Sequence, residues 1–234
     1  MESKWQLSQK AVKRAYALVS PVYDLVFDRV FYPGRVQAIK LLDLGPEDEV
    51  LEVGIGTGLN LSLYPRHRRL VGMDLSRRML RKAQERIREL HATYVNLVVM
   101  DAMRMGFPDD SFDHVLATYV ISAVPDPIQV LQEIKRVCRP KGHIVILNHF
   151  KSEGPVMGRV EGLMAPLITR MGLFKPDLQL TPLLEQVGLV PDQIHRVNLV
   201  SRVNLLSGWR LIRCINIKEP SLEARAIDGG RDET

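Results

Sequence analysis

Short apolar runs alternate with longer, charged stretches through the middle of the chain. Val50, Leu51 and Val53, then Leu70 to Met73, then Val95 to Val99, form clusters of buried-strand length. Val115 to Ala117 and Ile144 to Leu147 continue the series. The pattern predicts strands over 49–53, 69–74, 95–99, 111–117 and 143–148. Between them it predicts a long basic helix over 76–90 and a second helix from Asp126-Pro127 to Val137, stopped by Arg139-Pro140-Lys141-Gly142. Strands alternating with helices imply a parallel sheet, hence an α/β fold. A further helix over 181–187 ends at Gly188, and 190–199 and 208–217 read as an antiparallel pair at the sheet edge, making seven strands.

The flanks follow another pattern. Residues 4–19 read as an amphipathic helix, with Trp5, Val12, Tyr16 and Val19 near one face and Lys10, Lys13 and Arg14 around the rest. Pro21 breaks it, 22–32 is very apolar, Pro33-Gly34 is a second break, and a helix over 36–44 closes at Gly45-Pro46. The expected organisation is an N-terminal helical cap over 1–45, a central domain over 46–218, and a polar tail over 219–234 that is expected to be disordered. Within the central domain, 154–178 is a helical insert rich in Met, Leu, Gly and Pro.

Composition narrows the class. With 234 residues and 46% hydrophobic content, the chain suits one globular domain with additions. No apolar stretch reaches roughly 18 residues, so no transmembrane helix is expected, and the first ten residues carry no secretory core. Cys138 and Cys214 form no metal or redox motif, which fits a reducing compartment. The net charge is +5, and Arg66, Arg68, Arg69, Arg77, Arg78, Arg81, Lys82, Arg86 and Arg88 crowd one stretch. Such a stretch fits a solvated helix face, and also an attraction toward an anionic surface.

Chemistry concentrates after the first strand. Glu52 is followed by Gly54, Gly56 and Gly58, and sixteen residues past Gly58 comes Asp74, at the end of the second strand. Glycines let backbone approach a ligand where a Cβ would collide, and an acid at the next strand end can accept both hydroxyls of a ribose, the layout of a nucleotide-type site. The dinucleotide fingerprint has its third glycine three residues after the second, whereas the spacing here is two. A pyrophosphate needs amides and a helix N-terminus aimed at it; an acid in the loop suits a cationic cofactor better. A plain tight turn is the bland alternative.

Glu52-x-Gly54-x-Gly56-x-Gly58 with Asp74 resembles the class I S-adenosylmethionine (SAM) methyltransferases. The resemblance implies a Rossmann-like seven-stranded sheet with helices on both faces, SAM as methyl donor and S-adenosyl-L-homocysteine as product. It implies cofactor contacts at Glu52, the three glycines, Asp74 with Leu75, Asp101, Ala102, Met103 and Thr118. Asp101 would accept the adenine amino group and Ala102 would supply an amide to the ring, although a loop aspartate also caps turns. The Asn/Asp-Pro-Pro-Tyr/Phe motif of enzymes methylating DNA adenine or protein glutamine is absent at Thr118-Tyr119-Val120-Ile121. No metal-ligand cluster is visible in the sequence.

More specifically, Ala15-Tyr16 with Tyr23-Asp24, Pro33-Gly34-Arg35, the glycine loop, Thr118 to Pro127 and Leu147-Asn148-His149-Phe150 resemble the soluble bacterial phosphatidylethanolamine N-methyltransferases. That resemblance implies successive methylation of the ethanolamine head group toward phosphatidylcholine by a cytoplasmic protein peripherally bound to the inner membrane face. The implied partners are a phospholipid substrate and an anionic membrane surface, with no nucleic acid, in a monomer or weak oligomer. The N-terminal helices over 1–45 would serve as lid and membrane contact, the first of them binding anionic lipid, and the 154–178 insert would lie over the acceptor site; Tyr16 and Tyr23 would close over SAM, and Tyr23, Tyr119 and His149 would be the catalytic residues. A quinone-type or other small-molecule C- or O-methyltransferase, and a non-catalytic SAM- or nucleic-acid-binding protein, remain as alternatives.

Overall fold

The computed structural model describes residues 31–65, 69–150, 178–197 and 209–218. The predicted helix over 4–19, most of the 22–32 segment, the 154–175 part of the insert and the 219–234 tail lie outside these residues, as do Tyr16, Tyr23 and Asp24. One seven-stranded sheet organises the rest. In chain order its strands are β1 (Glu49–Val53), β2 (Arg69–Asp74), β3 (Val95–Val99), β4 (Phe112–Thr118), β5 (Cys138–His149), β6 (Pro191–Arg196) and β7 (Trp209–Ile215). Across the sheet they run β3-β2-β1-β4-β5-β7-β6. The first five pair in parallel, and β7 is antiparallel to both β5 and β6. Strand order reverses at β1/β4, and ligands of open α/β sheets bind in the crevice at the carboxyl ends of such strands.

Side-chain alternation sends each central strand's residues to two cores. Leu51 and Val53 of β1, Val115 and Ala117 of β4, and Ile144 and Ile146 of β5 meet helix α3 (Pro127–Val137) and helix α4 (Leu180–Val187). Val50, Leu116, Val145 and Leu147 face the other way, toward helix α1 (31–41) and helix α2 (Arg77–Glu89). Central strands buried on both faces read as nearly continuous apolar runs, which is why they were legible in the sequence.

The helix ends follow their capping chemistry. Ser76 caps α2 by accepting from the Met79 amide, and Gly188 ends α4 in the left-handed conformation at φ 66°. Asp126 accepts the amides of Ile128 and Gln129 at 3.0 and 3.1 Å, with Pro127 following it. Replacing Asp126 by Ala orphans those amides at an exposed site, so Asp126→Ala is expected to lower stability by about 1 kcal/mol. A denaturation midpoint equal to that of the wild type would show that the cap contributes nothing.

Two local expectations are corrected. Pro33-Gly34 does not interrupt the chain: α1 is helical from 31 to 41, past both residues, and ends before the predicted 44. Proline's fixed φ suits a helix. Gly34 is closely packed: a Cβ there would lie 3.0 Å from Val197 Cγ1 and 3.1 Å from Leu147 Cδ2, so those side chains would have to give way. The fifth strand begins at Cys138, not at 143. Cys138 pairs with Phe112, the register then shifts, and pairing resumes at His143 with His114. The predicted stop signal is thus absorbed as an irregularity inside the strand. Asn216 Nδ2 ties it down by donating to the carbonyls of Lys135, Cys138 and Arg139.

Candidate active site

The loop after β1 is built by backbone that favours glycine. Gly54, Gly56 and Gly58 sit at φ 69°, 58° and 78°. A Cβ on Gly54 would stand 2.7 Å from Val120 Cγ2, so this position needs glycine for space as well as for φ. A Cβ on Gly56 would meet nothing nearer than 3.9 Å and would project into open space, which leaves bare backbone facing the cleft. Gly58 does not line the cleft; its close neighbours are Leu61 and Ala83.

Asp74, at the end of β2, holds this loop. Its Oδ2 accepts the Gly56 amide at 3.0 Å and its Oδ1 accepts the Ser76 amide at 2.7 Å. Burial raises the Asp74 carboxyl above its ordinary value, and these two amides offset only part of that rise. Each oxygen keeps a lone pair beyond its backbone bond, so the pair can still accept two hydroxyls. Asp101 lies past β3, where its Oδ1 accepts the Met103 amide at 2.9 Å. It therefore caps a turn and lines the cleft at once.

The cleft encloses about 960 Å³, part of it open to solvent. Gly54, Gly56, Asp74, Leu75, Asp101, Ala102, Thr118 and Tyr119 all line it. The sequence reading missed its apolar walls, Met73, Met79, Met100, Val120, Ala123, Val124 and Pro125, along with Thr57 and Ser76. No chemical motif marks such residues; only their positions beside the glycine loop, Asp74, Asp101 and Thr118 point to them. Met103, predicted as a packing neighbour, is outside the lining and packs partly against the core.

Glu52 occupies a different place from the one its motif suggests. It is 1% exposed and lies behind the cleft wall rather than in it. Oε1 accepts Asn60 Nδ2 at 2.7 Å and Oε2 accepts Tyr64 Oη at 2.9 Å. The same Asn60 amide reaches Thr118 Oγ1 at 3.1 Å, and Thr118 lines the cleft. Burial pushes Glu52 from 4.5 up to about 7, against the downward pull of Asn60, Tyr64 and the Arg35 charge. Tyr64, buried beside this carboxylate, is raised well above its ordinary value and stays a donor.

Tyr119 stands where β4 ends, in the left-handed region at φ 62°. Such backbone in a bulky residue is strained and gathers at functional sites. Its amide donates to Leu147 O at 2.7 Å, and its ring meets Phe31 and Trp209 edge to face at 4.8 and 5.4 Å between centroids. His149 does not line the cleft; it is buried at the end of β5, its ring 5.2 Å from that of Trp209. Trp209 therefore links Tyr119 and His149, and neither Trp209 nor Phe31 was singled out in the sequence.

These features fit a SAM molecule. Two carboxylates on adjacent strand ends suit a ribose and an adenine amino group, bare Gly56 backbone admits close approach, and the methionine-lined walls suit a flat ring. Among the described residues no group of three or more His, Cys, Asp or Glu stands together to hold a metal ion, and no helix is long and apolar enough to cross a membrane.

Fold and cleft together define a class I SAM-dependent methyltransferase. Residues 51–146 match the methyltransferase domain family. The chain is 39% identical to the phosphatidylethanolamine N-methyltransferase of Cereibacter sphaeroides over 164 residues, covering 69% of this chain and 79% of that one. It is 28% identical to the demethylmenaquinone methyltransferase of Listeria welshimeri over 152 residues, 61% of this chain and 64% of that one. Among solved structures, the geranyl diphosphate C-methyltransferase of Streptomyces coelicolor, in complex with S-adenosyl-L-homocysteine, superposes with a TM-score of 0.62 at 18% identity, covering 77% and 78% of the two chains. The chain belongs to the class I SAM-dependent methyltransferases, and SAM is its cofactor.

Proposed function

We propose that this methyltransferase N-methylates phosphatidylethanolamine and its mono- and dimethyl derivatives toward phosphatidylcholine, at the cytoplasmic face of a membrane to which it binds peripherally. The observation that carries this reading is the 39% identity to a phosphatidylethanolamine N-methyltransferase, extending over 79% of that relative. His149 near the end of β5, Arg196 at the end of β6 and Trp209 at the start of β7 stand together at the carboxyl edge of the sheet, the edge that holds the cleft.

When bound, SAM supplies an electrophilic methyl group. In this reading Asp74 with Leu75 holds the ribose, Asp101 and Ala102 hold the adenine, and Gly54, Gly56 and Thr118 form the floor. Glu52 and Gly58 support that floor from behind. The acceptor amine must shed its proton before its lone pair attacks the methyl carbon as the carbon–sulfur bond breaks. Tyr119 lies at the cleft to receive the amine, and the proton leaves to water in the open part of the cleft; His149, packed on Trp209, positions Tyr119 through that ring rather than taking the proton. Tyr16 and Tyr23 belong to the segment assigned to closing the site. Most of the rate gain comes from alignment.

A second reading has an observation of its own. The 28% identity to a demethylmenaquinone methyltransferase favours methylation of a quinone ring. Incubating the full chain with SAM and anionic vesicles that contain both phosphatidylethanolamine and demethylmenaquinone separates the two. Mass spectrometry is expected to find methylated ethanolamine lipids. Methylated quinone with unaltered phospholipid would overturn the proposal.

A further inference from the structure

Helix α2 starts next to the cleft: its cap Ser76 and its residue Met79 both line the wall. Arg77, Arg78, Arg81 and Lys82 occupy the first half of the helix, and no acid stands in the first turn. Glu85 and Glu89 stand only in the second half, beside Arg86 and Arg88. The positive charge of α2 is thus concentrated at the cleft mouth.

That placement works against the helix. Cations at a helix N-terminus oppose its dipole, and Arg77/Arg81 and Arg78/Lys82 are like-charged pairs four residues apart, which destabilise. Arg77, Arg78 and Arg81 are exposed, and none makes an ion pair among the described residues. Arg77, Arg78 and Arg81 thus weaken the helix with no ion-pair partner among the described residues, which points to an external one. Successive residues on a helix diverge by about 100°, so Arg77 and Arg78 present their charge over a broad face rather than at one point. They suit a flat array of phosphates. A nucleic acid also offers an array, but non-specific single-strand binders interleave aromatic residues for base stacking, and α2 contains none.

We infer that the N-terminal half of α2, led by Arg77, Arg78 and Arg81, docks on the phosphates of an anionic lipid bilayer and sets the cleft mouth against the membrane. The choice of a bilayer rests on the phospholipid reading above. Docking by exposed arginines is screened by salt and depends on charge rather than on guanidinium geometry.

The test is flotation of the full chain with vesicles of phosphatidylethanolamine and phosphatidylglycerol, against neutral vesicles of phosphatidylethanolamine and phosphatidylcholine. The wild type is expected to bind only the anionic vesicles, and less as salt rises. Changing Arg77, Arg78 and Arg81 together to Gln is expected to weaken that partition by about fivefold per residue. The triple Arg→Lys variant is expected to retain it. SAM affinity, measured on the same proteins, should not change, and the thermal midpoint of the Gln variant should rise slightly, because the opposed dipole and the like-charge pairs are relieved. Unaltered vesicle binding by the triple Gln variant, or preferential binding of the wild type to single-stranded RNA, would overturn the inference. Loss of partition in a protein that methylates no lipid would uphold the docking surface and sink the acceptor assignment. Methylation of phosphatidylethanolamine in neutral micelles, with unaltered vesicle partition in the Gln variant, would do the reverse.

Discussion

Asp74→Ala is expected to weaken SAM binding by on the order of a hundredfold or more while leaving the protein folded. Two losses combine in this one change. The carboxylate that would accept two ribose hydroxyls disappears, and hydrogen bonds to a charged group contribute about 1.5–3 kcal/mol each. The Gly56 amide, which Asp74 Oδ2 holds at 3.0 Å, is released at the same time, so the loop loses its tie to β2. The Ser76 amide loses its acceptor as well, but it stands at the start of α2, where water can replace it. Titration calorimetry with SAM reads the effect directly, and circular dichroism checks the fold. Wild-type affinity in a folded Asp74→Ala protein would remove Asp74 from the cofactor site. The Glu52 contacts survive the change, so a large loss would be specific to the cleft side of the wall.

Much of the architecture was legible because its causes are local. Val50 to Val53, Leu70 to Met73 and Ile144 to Leu147 are buried on both faces and announce it by their composition. Asp126-Pro127 and Gly188 carry their capping chemistry in their own side chains. The errors arose where a distant residue decides. Pro33-Gly34 reads as a break until Val197 and Leu147 are seen packed against the glycine. The stop signal at 139–142 becomes part of β5 because Asn216, 78 residues beyond Cys138, accepts the task of pairing its carbonyls. The site divides in the same way. The glycine loop, Asp74 and Asp101 lie at strand ends that the apolar pattern had already placed. The Phe31–Tyr119–Trp209–His149 chain joins α1, β4, β7 and β5, and no periodicity connects such separated positions. Glu52 was visible as an acid in a motif, but its partners lie eight and twelve residues on, along a loop path that only the fold defines.

Glu52→Gln is expected to raise stability at alkaline pH and to lower SAM affinity. The native carboxyl titrates at about 7 and the ordinary value is 4.5. Between those values the folded protein holds a proton that the unfolded chain has released, so stability falls as pH rises through this window and levels off above it. The span corresponds to about 3 kcal/mol at most. A glutamine has no proton to lose, so the variant avoids this penalty, and its amide can still accept from Asn60 and pair with the Tyr64 hydroxyl. His114 also titrates with a lowered value, so the measured quantity is the difference between the two proteins' denaturation midpoints at pH 5 and pH 8. That difference should favour the variant more at the higher pH; a pH-independent difference would show that Glu52 is ionised across the whole range. Affinity should move the opposite way. SAM carries a sulfonium and an ammonium, and a negative charge behind Thr118 attracts both across a low-dielectric wall. Wild-type affinity should therefore rise with pH toward and past 7, and the variant should lose that rise. A buried carboxylate that destabilises its own fold at the pH where it is charged is the pattern expected of a group kept for binding rather than for stability. If the variant binds SAM as tightly as the wild type across this range, the Asn60–Tyr64 cradle around Glu52 is structural only.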